Sequence, residues 1–109
     1  MTNIKHFEEI WNEAEALADT KLKATTTEQI ISEIVAEFDS YKLYHTKEEL
    51  SPEIKKLLKQ RNLGAIMFLI CALAKREDIN VYSSLVEEMR FEQLDMEKLK
   101  EMLEKQAAI

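Results

Sequence analysis

The sequence holds one glycine (Gly64), one proline (Pro52) and one cysteine (Cys71) in 109 residues. An all-β domain needs a turn residue about every 8–12 positions, and this chain does not have them. A single glycine also excludes a glycine-rich loop of the kind that cradles phosphates. One cysteine leaves no disulfide framework and suits a reducing compartment. The two histidines, His6 and His45, stand at neither three nor four residues from each other or from Cys71, so no zinc-ligand spacing exists. Basic charge is scarce as well: 15 Lys and Arg face 21 Asp and Glu, for a net charge of −6. No stretch gathers Lys and Arg into a stripe that would track phosphates, and a nucleic-acid backbone is repelled on average. The acids are interspersed with lysine, which fits solubility better than mimicry of nucleic acid. Met1 to Phe7 lacks the apolar stretch of a secretory leader. The longest apolar run, residues 65–74, is about half the ~20 residues of a membrane span. These absences predict a cytoplasmic chain without nucleic-acid or membrane partners.

What remains is helical periodicity. Ile4, Phe7, Ile10, Trp11, Ala14, Leu17 and Ala18 recur at gaps of three and four and predict a helix to about Lys23. Thr26 followed by Gln29 is a capping-box pattern that starts a second helix, with Ile30, Ile31, Ile34, Val35, Phe38 and Tyr41 on its stripe. Thr46 and Glu49 repeat the pattern within a connection over residues 44–50. Ser51-Pro52 starts a third helix, because proline at the first helical position loses no needed hydrogen bond. Residues 65–74 are apolar nearly all round, which predicts a central helix covered on several sides. It either continues from Pro52 or breaks near residues 62–64. Asn80 or Asp78 can cap a fourth helix carrying Tyr82, Leu85, Val86 and Met89. Asp95 can cap a last one, with Leu94 and Leu99 as a hydrophobic staple. The expectation is a single all-α domain over 1–109, a four- to five-helix bundle. The five methionines fall at core spacing or near the ends, as gap-fillers.

Chemistry is sparse. Cys71 lies mid-run on the most buried helix and reads as a small hydrophobe rather than a nucleophile. Glu33 and Glu37 are four apart, so both leave one edge of the second helix beside its apolar stripe. Such a pair holds a divalent cation only when further carboxylates face it from another helix. Glu8 with Glu9, Glu48 with Glu49 and Glu87 with Glu88 read as solvated faces.

The segment Asn62-Leu-Gly-Ala-Ile-Met-Phe-Leu-Ile-Cys-Ala-Leu-Ala74, followed by Lys-Arg-Glu-Asp-Ile-Asn-Val-Tyr-Ser-Ser-Leu85, resembles the second half of the MazG-like, all-α nucleoside triphosphate pyrophosphohydrolases. Those proteins begin an apolar helix with Glu-Leu-Gly-Asp and follow it with a short turn ending in Gly-Ile-Asp. Upstream, Glu33-Ile-Val-Ala-Glu37-Phe38 is similar to the family's Glu-Glu-Val-Gly-Glu-Leu. The resemblance covers residues 30–89 in the family's order. It implies magnesium held by the acids of both motifs, which polarises the triphosphate and helps activate water, and association into dimers or tetramers.

Residue by residue, most of that site is missing. Glu33 and Glu37 match the first and third acids of the first motif, and Ile34 occupies the second. Asn62 stands where the second motif has Glu, and Ala65 where it has Asp. Leu63 and Gly64 match, and Gly64 would allow close helix approach. The sequence therefore predicts a non-catalytic MazG-like bundle: a binding, regulatory or protein-interaction module that forms a homo-oligomer and uses no cofactor, with Glu33 and Glu37 as vestigial metal candidates. Two alternatives stand beside it. One is a magnesium-dependent pyrophosphohydrolase acting on a nucleotide, its acidic site displaced to Glu33, Glu37 and Glu49 or Glu53. The other is an unrelated small helical adaptor or inhibitor.

Overall fold

The computed structural model describes residues 4–107 as four α-helices in order: α1 Ile4–Lys21, α2 Thr27–Thr46, α3 Pro52–Arg76 and α4 Val81–Ala107. No strand occurs among the described residues. Met1 to Asn3, which belong to the leader reading, and the side chain of Ile4, which belongs to the α1 stripe, lie outside them.

The sequence signals act where they stand. Thr26 is the N-cap of α2: its hydroxyl accepts from the Gln29 amide at 3.1 Å, and the Gln29 side chain accepts from the Thr26 amide at 2.9 Å. Ser51 caps α3 by accepting from the Ile54 amide, with Pro52 inside the first turn. No break occurs near residues 62–64, so α3 is one helix of 25 residues. It ends where the Glu77 amide donates to the Leu73 carbonyl at 2.9 Å and Asp78 turns left-handed, at φ 52°. Asn80 then caps α4, its side-chain oxygen accepting from the Ser83 amide.

Three expectations are corrected. Asp95 caps nothing, because α4 runs unbroken through it; residues 81–107 contain no glycine or proline to stop the helix. Thr46 does not open a helix but closes α2, its hydroxyl donating to the carbonyls of Lys42 and Leu43. Met67, Met89, Met96 and Met102 are about half exposed or more, so these four are not core fillers; Met1 lies outside the described residues.

The chain forms two compact units, Met1–Asp78 and Ile79–Ile109. In the first, α3 is the helix on which both α1 and α2 pack. Ala18, Ile30, Leu69, Cys71 and Ala72 form its buried core, with Trp11, Ala14, Leu22, Ile34, Phe68 and Leu73 packed around them. Trp11, Ala14, Ala18 and Leu22 recur at gaps of three and four, which is why one face of α1 meets the core. Among the described residues, α3 is also the one helix long and apolar enough to cross a membrane by length and composition, a test that the core helix of a bundle passes equally. The second unit is α4, with Tyr82, Leu85, Met89, Met96, Leu99 and Leu103 along one face.

Candidate functional site

Cross-helix contacts set the register of α2 against α3. Ile30 shares the core with Leu69, Cys71 and Ala72. Further along α2, Glu37 meets Asn62 and Tyr41 and His45 meet Lys59. As α2 advances its partners on α3 recede, so the two helices are antiparallel.

Asn62 is the one buried polar residue of the core, 7% exposed among the described residues. Its Nδ2 donates to Glu37 Oε2 at 2.8 Å inside a half-buried seam. Asn62 Oδ1 is buried and takes no hydrogen bond from the described residues. The two motif positions thus face each other across the seam. The remaining motif positions do not complete a metal site. Ile34 packs on the apolar core, and Ala65 offers no oxygen. Glu33 is exposed and lines a separate open depression of about 380 Å³ with Thr25, Glu28, Gln29 and Ser32. Magnesium needs several converging oxygens. Here Glu37 is engaged by an amide and Glu33 lies apart, so the donor set does not fit the ion. No group of three or more His, Cys, Asp and Glu among the described residues could hold a metal. Gly64 does not bring helices together: a Cβ built there meets nothing within 4 Å.

Cys71 is 2% exposed. Desolvation, with the charge of Glu15 adding to it, pushes the thiol from 9.0 up to about 11, so the thiolate a nucleophile needs is suppressed at neutral pH. Glu15 itself accepts from the Trp11 indole N–H.

A second arrangement escaped the sequence reading. An open cavity of about 510 Å³ lies between the C-terminal half of α2 and the N-terminal half of α3, lined by Tyr41 and His45 on one side and Pro52, Lys55, Lys56 and Lys59 on the other, with Leu50 and Leu63. Lys59 Nζ sits 3.0 Å from His45 Nδ1 and 5.2 Å from the centre of the Tyr41 ring. The signal was local charge: residues 41–61 hold six Lys and Arg against three Glu, a net +3 in a chain whose total is −6.

Comparison with family models, with curated proteins and with solved structures gives no match.

Proposed function

We propose that this chain is a non-catalytic helical module of the MazG-like kind, which works by binding and by association with a second copy of itself. The observation that carries the reading is the Glu37–Asn62 bond. Antiparallel α2 and α3 bring together the two positions at which that family keeps facing acids, and an amide occupies one of them. The amide donates a hydrogen bond to Glu37, where two facing carboxylates would instead need a cation between them.

Self-association is supported by the apolar surface of the first unit. Ile31, Val35 and Phe38, at i, i+4 and i+7 on α2, are 49%, 53% and 52% exposed, and Leu63 and Met67 on α3 are each 47% exposed. Exposed large apolar side chains at helical spacing favour an interaction face in a small protein. The open space at Gly64, beside Leu63, leaves room for a close helix approach from another molecule.

Calorimetry with magnesium alone and a pyrophosphate-release assay across a nucleotide panel test the non-catalytic part: no heat of magnesium binding and no pyrophosphate release are expected. Magnesium-dependent hydrolysis lost in Glu37→Ala would overturn it. Restoring the facing acid in Asn62→Glu is expected to make the stability of the fold rise with added magnesium, which the wild-type chain should not show. Light scattering across a concentration series tests self-association. Dimers are expected, with Phe38→Glu and Met67→Glu shifting the mass to monomer. A wild-type chain that stays monomeric at about 100 μM, a weak limit for a specific dimer, removes that part of the proposal.

A further inference from the structure

We propose that the cavity between Tyr41, His45 and the lysines of α3 is a binding site for a small organic phosphate. The claim rests on chemistry separate from the Glu37–Asn62 seam. Lys55, Lys56 and Lys59 all line one cavity, and no Asp or Glu lines it. Glu48, Glu49 and Glu53 are near in sequence but stand outside the lining. None of the three lysines takes part in an ion pair among the described residues. Three uncompensated ammonium groups around one volume repel one another, and a multiply charged oxyanion relieves that repulsion most fully.

Lys59 is half-buried and already held, by the imidazole on one side and the Tyr41 ring on the other. Its side chain therefore loses little freedom on binding, and its charge is less screened than that of a free surface lysine. Two of its three N–H donors remain for a ligand. The other walls are Leu50, Pro52 and Leu63 together with the tyrosine ring. Bare phosphate leaves those walls uncovered, whereas a phosphate carrying a hydrocarbon or aromatic body covers them. About 510 Å³ accommodates such a ligand.

The test titrates the full chain at low salt with phenyl phosphate and with inorganic phosphate, followed by amide chemical shifts. A parallel arm uses phosphatidylcholine vesicles with and without phosphatidic acid. Phenyl phosphate is expected to bind about tenfold more tightly than inorganic phosphate, with shifts centred on residues 41–63. Lys59→Gln and Lys55→Gln/Lys56→Gln should each weaken binding about tenfold or more per lysine, while Lys100→Gln on α4 leaves it unchanged. The exposed Lys56 keeps the test usable if Lys59→Gln disturbs the fold. Lysine-dependent binding to phosphatidic acid vesicles alone assigns the phosphate to a lipid headgroup, and binding to phenyl phosphate assigns it to a soluble molecule; both uphold the site. No lysine-dependent response in either arm, or an equal loss in Lys100→Gln, overturns it.

Discussion

Replacing Asn62 by glutamate tests the seam most directly, because it swaps a donor for a second carboxylate at one fixed place. Asn62 Nδ2 lies 2.8 Å from Glu37 Oε2, so the introduced carboxylate falls within about 4 Å of the first. At an effective dielectric of 20 that repulsion is about 4 kcal/mol, and water at the half-exposed Glu37 reduces it to about 2 kcal/mol. Asn62→Gln has the same length without the charge, so the difference between Asn62→Glu and Asn62→Gln isolates the electrostatic part. With a urea dependence of about 1–2 kcal/mol per molar, the glutamate variant should unfold about 1–2 M earlier than the glutamine variant at pH 7. The pH dependence fixes the sign. Two facing carboxylates raise one another's pKa in the folded state, so the folded variant holds more protons than the unfolded chain above about pH 4. The gap between the variants should vanish below about pH 4 and open as pH rises through the raised folded value. Equal urea midpoints at pH 7, or a gap that does not change with pH, would refute the facing of Glu37 and position 62.

Three further outcomes can be measured on single variants. Thr26→Ala removes the hydroxyl half of the capping box, leaving the Thr26 amide bonded to the Gln29 side chain, and should cost about 1 kcal/mol in urea denaturation, largely restored by Thr26→Ser. Cys71 should resist a thiol reagent at pH 8 and react once urea opens the core; because its folded thiol, near 11, lies above the ordinary 9.0, its contribution is complete below about pH 9 and is lost as pH rises toward 11. Rapid labelling without urea would contradict its burial. Gly64→Ala should stabilise dilute protein by about 0.8–1 kcal/mol, since the added methyl meets nothing within 4 Å, and in the proposed dimer that gain should shrink as concentration rises.

The helices were legible where a local signal decides them. Thr26 with Gln29 and Ser51 with Pro52 set helix starts through contacts within one turn, and those contacts are present. The signals failed where the same residue types had no break to act on, as at Asp95 inside α4, or where a hydroxyl served the preceding helix, as at Thr46. Asn62 and Glu37 were legible as marked positions, but their bond spans 25 residues and depends on helix register. The lysine cavity was hidden for a similar reason. Lys55, Lys56 and Lys59 carry no local signal of their own, and the cavity exists only because Tyr41 and His45 come from another helix. Gly64 was misread because close approach is a property of the neighbour, and no neighbour is there.

The central place of α3 also orders the assembly of the first unit in time. α2 and α3 are consecutive and antiparallel, so closing the short loop between them is enough to bring their faces together. α1 must instead dock on a helix far along the chain: Arg76 Nη2 donates at 3.0 Å to the Leu22 carbonyl across 54 residues. That bond ties the last turn of α3 to the end of α1, at a carbonyl that also accepts from the Thr25 amide at 2.9 Å. The α2–α3 hairpin is therefore expected to form first and α1 to dock last. Amides of α1 should be the first in this unit to exchange with solvent, and Arg76 is the latch that delays them.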